Sequence, residues 1–455
     1  MVAIEVQARE PVRRTEAEPQ YDYDVVVVGN GIAGAAAAKR LGERGLRVAI
    51  VDPRPSIPEK SLFINAEQLE STPGLLESLS AQGSLISVPN FRLINIDDNS
   101  KSATIDPTEE SARTYGVYHR PLVTFFRAGF DPEYVTQMQA RVVASKETQD
   151  HIDLQIRDGE QIKTISAKYV VDATGSYSSF SRKHLIEGQK EALLNDDPLV
   201  LWVRGFRVKG KFEPGALLDP IGKDIGLAWI LPYSETEADI VSSDLCRISE
   251  LNPQRQQEMV ENLKRICVER GICTIEEITA PIVGFIRAEP IPASAAKRTK
   301  RVFVIGDAAG MGSPLVNEVI PAAIKWGTEV GDAIADGVAP RQFFRRWRKR
   351  EQMFPYDTEL GMVRRRLRHR ARGEYGSNAP IYQTIIDYLP PVAQQEMLTT
   401  RRISPQYLPY LLNAAIHNPQ FIPNIAEMGI DLALVKAQRI VPPRLRRHNV
   451  LHPQG

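Results

Sequence analysis

The chain has 455 residues, 43% hydrophobic and 25% charged, with 57 basic against 56 acidic residues and a net charge of +1. That is the profile of a globular protein with a large core, about two or three domains at roughly 150 residues each, and its overall charge favours no anionic partner. Only Cys246, Cys267 and Cys273 occur, with no CxxC pair and no histidine at zinc-ligand spacing, which excludes a disulfide scaffold and a structural zinc site. No run reaches the roughly 18 apolar residues of a membrane span. Met1–Gln20 mixes Glu and Arg without an apolar centre, so it is no secretory signal and reads as a flexible arm of a cytoplasmic protein.

Order is expected to begin at Tyr21. Val25–Val28 are four consecutive valines, the pattern of a parallel strand buried on both faces. A glycine turn follows, then a helix carrying Ala35–Ala38, then a second buried strand, Arg47–Asp52. The spacing predicts a helix around 131–139 with strands on either side. Lys168–Gly175 reads as a short buried strand running into a turn. Residues 198–244 alternate as antiparallel strands do, 252–270 has helical spacing, 301–307 is a strand and 321–335 a helix. Beyond 341 the pattern is helical and broken by prolines.

Gly29-Asn30-Gly31-Ile32-Ala33-Gly34 is a G-x-G-x-x-G run in a strand–turn–helix context, and Asp52 ends the next strand 18 residues after Gly34. Gly29 would make the tight turn, Gly31 admit a pyrophosphate against the backbone, and Gly34 let the helix pack on the strand. Ile32 and Ala33 would offer helix N-terminal N–H groups to the phosphates, and Asp52 would accept from a ribose. About 270 residues later Val302–Gly310 forms a second strand and turn, whose Gly306-Asp307 places a carboxylate where a ribityl chain could be gripped.

Together, Gly29–Gly34, Asp172–Gly175 and Gly306-Asp307 resemble the flavoproteins of the p-hydroxybenzoate-hydroxylase superfamily. That resemblance implies an α/β fold with a Rossmann-like FAD-binding domain, an antiparallel-sheet substrate domain and a helical C-terminal region. Within the superfamily, Tyr23–Gly29, Ala49–Pro55, Val171–Gly175, Gly226–Pro232 and Gly306–Leu315 are most similar to geranylgeranyl reductases and lycopene cyclases. The resemblance implies non-covalent FAD with Asp307 on the ribitol, Arg120 near the cofactor, and Trp229 lining the substrate cavity. Read from the residues alone, Arg120 is equally a surface arginine and Trp229 equally a core aromatic.

The departures fall near the flavin. Pro314–Val319 stands where the reductases have a glycine-rich turn. Asn317 tolerates a positive φ, while Glu318 and Val319 do so only at a cost. Glu318 is either a proton donor or a solvent-facing carboxylate. The cyclases' acidic segment is missing, and Asp239 or Asp244 could substitute. The reductases' cysteine after the first domain's acid is absent, and Lys60 stands near its place.

The expected organisation is an arm (1–20), FAD-binding segments (21–110, 111–190 and 291–340), a substrate domain (191–290) and a basic C-terminal region (341–455). The expected function is FAD-dependent oxidoreduction of a hydrophobic isoprenoid or polyene-like molecule. Alternatives are a non-redox cyclase, a flavin-dependent monooxygenase or halogenase, and a non-catalytic flavin-binding partner. With no second G-x-G-x-x-G, electrons would come from NAD(P)H, ferredoxin or a flavin reductase. No hydrolase or metal motif occurs. Residues 341–372 hold twelve basic and three acidic residues, with Phe343, Phe344, Trp347 and Phe354 among them. Such a stretch suits an anionic membrane surface or an acidic electron donor and, lacking a binding motif, not nucleic acid. A solvated helix face is the plainer reading.

Overall fold

The computed structural model describes residues 21–351 apart from 56, 58–60, 89, 96–102, 106–113, 177–198, 213–215, 222–226, 289–298 and 313–319. Beyond 351 it describes 387–390, 393, 405–417, 422, 423 and 426.

β1 (Tyr23–Val28) leads through the glycine turn into α1 (Ile32–Glu43) and then β2 (Val48–Val51). The valine run is continuous because both sides of β1 are covered. Val25 and Val27 pack with Ala35–Ala38 of α1, while Val26 and Val28 pack with Ala49, Ile152 and Leu154. A small antiparallel sheet follows, built from β3 (Ser61–Asn65), β4 (Leu85–Val88) and β7 (Thr114–Tyr118), with α2 (Ala66–Glu70) and α3 (Leu75–Ala81) between its first two strands. Two strands within that stretch go elsewhere: β5 (Asn90–Asn95) and β6 (Ala103–Ile105) join the large antiparallel sheet, β5 lying parallel to β13 (Ala216–Ile221). The large antiparallel sheet therefore draws on two separate parts of the chain, one of them before residue 110.

The helix expected around 131–139 is not there. The helix is α4 (His119–Ala128), and Val135–Met138 is β8, parallel to β2. Asp131 caps a turn instead: its Oδ1 accepts from Glu133 N–H at 2.9 Å, and its carbonyl accepts from Tyr134 and Val135. The strand wins because Val135 can enter the parallel sheet, where it is buried.

β9 (Arg141–Glu147), β10 (Ile152–Asp158) and β11 (Gln161–Asp172) form a meander. β11 serves twice. Its first half pairs with β10, and its last residues run parallel between β1 and β17 (Val302–Val304). The parallel order is thus β8-β2-β1-β11-β17, a doubly wound core whose ligand side is the carboxyl end of its strands.

β12 (Leu199–Lys211), β13, β14 (Leu227–Pro232), β15 (Glu237–Arg247) and β16 (Thr274–Arg287) make the second sheet, in the order β16-β12-β15-β14-β13-β5-β6. α5 (Pro253–Glu269), capped by Asn252, covers one face with Leu263 and Cys267 against Val208, Ala228, Ile230 and Ile240. The alternate residues Leu199, Leu201, Val203, Val241 and Leu245 cluster on the other face, with Trp229 half-buried against them. The three cysteines are buried and form no disulfide.

α6 (Ile320–Ala335) packs on α1 so closely that a Cβ at Gly327 would lie 2.6 Å from the Ala33 carbonyl oxygen. Arg40 and Arg44 bind Asp332 across this pair, and Arg44 also binds Asp336. In α7 (Pro340–Glu351) the aromatics turn inward. Phe343, Phe344 and Trp347 are buried, with Phe343 edge-on to Phe303 and Trp326. Arg341, Arg345 and Arg346 stay outside, so up to Trp347 the helix turns charge to solvent; Phe354 lies outside the described residues. α8 (Leu408–His417) follows a short turn at Pro405–Tyr407. No helix among the described residues is long and apolar enough to cross a membrane.

Candidate cofactor site

The glycine turn sits at the carboxyl end of β1, beside the ends of β2 and β11. Gly29 has φ +102°, and a Cβ there would lie 2.4 Å from the Ala173 carbonyl oxygen, so only glycine fits. A Cβ on Gly34 would sit 1.9 Å from the Gly29 carbonyl oxygen, which leaves no room between helix and turn. Gly31 differs: its backbone is ordinary extended chain, and a Cβ would meet nothing within 4 Å among the described residues. It is the N-cap of α1, without a side-chain cap and with no acid in the first turn. Ile32 and Ala33, both buried, begin the helix. An uncapped helix N-terminus facing open space is a cradle for an anion.

Asp52 is buried at the end of β2. Its Oδ2 accepts from Asn30 N–H at 2.7 Å, and its Oδ1 accepts from Arg54 N–H and Nε, each at 2.9 Å. Burial alone would raise its pKa, but the Arg54 guanidinium and the two backbone donors outweigh it and hold the carboxyl below the usual carboxylate range. Arg127 of α4 completes the cluster. Its Nε donates to Asn30 Oδ1 at 3.0 Å and its Nη2 to the Asn30 carbonyl at 3.2 Å. Burial pulls its pKa down and nearby Asp52 offsets this in part. Two arginines and one acid thus surround the turn, a positive excess that suits a diphosphate.

Arg120 lies in the first turn of α4 with its side chain exposed; the arginine that touches the glycine turn is Arg127. The signal was present in the spacing, since 120 and 127 are seven residues apart and share a helix face. Nothing in the sequence showed that this face meets Asn30.

The second element comes to the same place. β17 pairs with the end of β11, Ile305 N–H donates to the Asp172 carbonyl at 3.0 Å, and a Cβ on Gly306 would be 2.9 Å from Ala33 Cβ. Asp307 is therefore next to the helix N-terminus of the first motif. The intervening Asp172–Gly175 segment is an Asx turn, with Thr174 N–H and Oγ1 both donating to Asp172 Oδ1. Ser176 Oγ donates to Asp307 Oδ2 at 3.4 Å and to the Phe285 carbonyl, tying the parallel core to the end of β16. Asn317, Glu318 and Lys60 lie outside the described residues. Asp239 and Asp244 are on opposite faces of their sheet. Asp239 shares the face of Trp229 and pairs with Arg207, whereas Asp244 pairs with Arg255 of α5. No metal-binding cluster occurs among the described residues.

A doubly wound parallel core, a glycine cradle under a helix N-terminus and a distant Gly-Asp turn closing on it define a flavin-type dinucleotide fold. The FAD binding domain family model matches residues 22–317, and the chain belongs to that family. It is an FAD-dependent oxidoreductase. Over 331 residues, 68% of this chain and 75% of the relative, it is 22% identical to the digeranylgeranylglycerophospholipid reductase of Methanospirillum hungatei. A geranylgeranyl bacteriochlorophyll reductase-like protein from Thermoplasma acidophilum shares the fold with a TM-score of 0.64 at 15% identity, over 89% of this chain and 99% of that one. The flavin-dependent brominase Bmp2 shares it with a TM-score of 0.55 at 17% identity, over 86% and 92%.

Proposed function

We propose that this enzyme saturates carbon–carbon double bonds in a hydrophobic, isoprenoid-like small molecule. One observation carries the reading: the sheet face opposite α5 is mostly apolar, bears Trp229, and ends where Ser176 links β16 to Asp307. Bound FAD supplies the electron pair, delivered to the protein by NAD(P)H, ferredoxin or a flavin reductase. The chain's own residues do the rest. Gly31 and the α1 N-terminus seat the diphosphate, Asp52 the adenosine ribose, and Asp307 the ribityl side. Arg120 and Asn317 complete the cofactor contacts in this reading. The apolar wall excludes water, Trp229 contacts substrate, and Glu318 delivers the proton. The likeness to a reductase named for geranylgeranyl chains supports the substrate class.

The shared fold of a brominase makes oxygen or halide chemistry the reading to separate. The test is anaerobic incubation of the dithionite-reduced, FAD-loaded protein with a geranylgeranyl lipid, read by mass spectrometry. A gain of two hydrogens per turnover is expected. An isomer of unchanged mass would select cyclisation, and product formed only with oxygen or halide would select the other class. Either outcome refutes reduction.

A further inference from the structure

Asp52, the acceptor proposed for the adenosine ribose, has its acceptor positions filled by its own chain. An ionised carboxylate offers about four such positions, two on each oxygen. Oδ1 accepts from Arg54 N–H and from Arg54 Nε, each at 2.9 Å. Oδ2 accepts from Asn30 N–H at 2.7 Å and from Arg54 Nη2 at 2.5 Å. The Asp52 side chain is 8% exposed, whereas that of Arg54 keeps 49% of its surface.

These donors are of two kinds. Asn30 N–H belongs to the glycine turn, and Arg54 N–H closes an Asx turn over Pro53, whose ring fixes its φ, so neither leaves without rebuilding the loop. Nε and Nη2 belong to a side chain half in solvent, which rotates away without moving the backbone. One of them lies on each oxygen. Their release frees one acceptor position on Oδ1 and one on Oδ2, side by side, which is the pattern two vicinal hydroxyls need. The edge of a guanidinium presents two parallel donors to a carboxylate, and a ribose diol presents two as well. Arg127 stays in place, because its Nε and Nη2 bond to Asn30, so a cation remains near Asp52 when Arg54 leaves.

We propose that the Arg54 guanidinium occupies the diol positions on Asp52 and is exchanged for the ribose hydroxyls when the adenosine end of the cofactor binds. The proposal rests on Asp52 as the ribose acceptor and adds the group with which the ribose competes. Arg54 is a positioning residue: it holds the buried carboxylate aimed before the nucleotide enters. It also lowers the apparent affinity for any nucleotide that has to displace it.

The test is calorimetric titration of the full-length apoprotein with ADP and, separately, with dideoxy-ADP, which lacks both ribose hydroxyls. The proteins are native, Arg54→Met, and the double change Arg54→Met with Asp52→Asn, each checked for melting temperature and for FAD rebinding. The two probes carry the same charge, so their ratio cancels the attraction that Arg54 exerts on the diphosphate. Arg54→Met should raise the preference for ADP over dideoxy-ADP about 3- to 10-fold above the native value, and the double variant should lose that gain. A native preference that stays the same or falls in Arg54→Met, or a gain that survives in the double variant, overturns the exchange and leaves the cofactor reading standing. If neither the native protein nor Arg54→Met prefers ADP while both rebind FAD, Asp52 is not the ribose acceptor and the exchange falls with it.

Discussion

Gly31→Val separates folding from cofactor binding. Gly31 has φ −84° and ψ −168°, a backbone that any residue adopts, and its Cβ direction is open to 4 Å. The substitution costs the fold a less favourable N-cap, about 1 kcal/mol, which lowers the melting temperature by about 2 °C in a chain of this size. In the proposed seating the cofactor meets a different situation, because the isopropyl group would occupy the space through which diphosphate oxygens reach the α1 N-terminus. Losing one amide-to-phosphate hydrogen bond costs about 1.5–3 kcal/mol, or about 10- to 150-fold in Kd, and each further donor lost multiplies it. The assay is flavin absorbance after gel filtration and titration of apoprotein with FAD, alongside a thermal melt of the apoprotein. A Gly31→Val protein purified with full FAD and native affinity would refute the reasoning. Gly34 cannot serve this purpose, since even alanine there would strike the Gly29 carbonyl.

Arg127→Met should weaken FAD binding about tenfold, from the loss of one charge-assisted contact, and should reduce the dependence of affinity on ionic strength; an unchanged salt response would remove Arg127 from the cofactor site. Asp52 has a depressed folded-state pKa, so its contribution to stability is present above about pH 4, the ordinary carboxylate value, and is lost as the pH falls through the folded value. Asp52→Asn should therefore lower the urea midpoint at neutral pH and flatten its fall below about pH 4; native and variant curves that stay parallel through the acid range would contradict this. Phe343→Ala should cost about 3–5 kcal/mol in denaturant unfolding, because the ring is buried against Phe303 and Trp326. A change below about 0.5 kcal/mol, as at a surface position, would mean that α7 is not packed on the core.

Much of the cofactor half was legible in the residues themselves. Four valines, three glycines at fixed spacing and an acid at the next strand end describe a strand, a turn and a helix whose geometry is local, so the pattern determines it. Gly306-Asp307 was recognisable for the same reason. What the pattern does not carry is which distant surfaces meet. The spacing over 131–139 fits a helix because an isolated four-residue strand has little local signature; β8 exists only because β2 offers it an edge. Nothing local marks Arg127, because its partner Asn30 lies 97 residues away. Asp239 and Asp244 look equivalent along the chain, yet five positions on a strand place them on opposite faces, one beside Trp229 and the other under α5. Nothing in the residue order shows that the aromatics of α7 face inward, with Phe343 against Phe303 and Trp326 and Phe344 beside Trp347. Short-range stereochemistry is written in sequence order, whereas contacts between elements depend on register and burial, which only the folded chain decides.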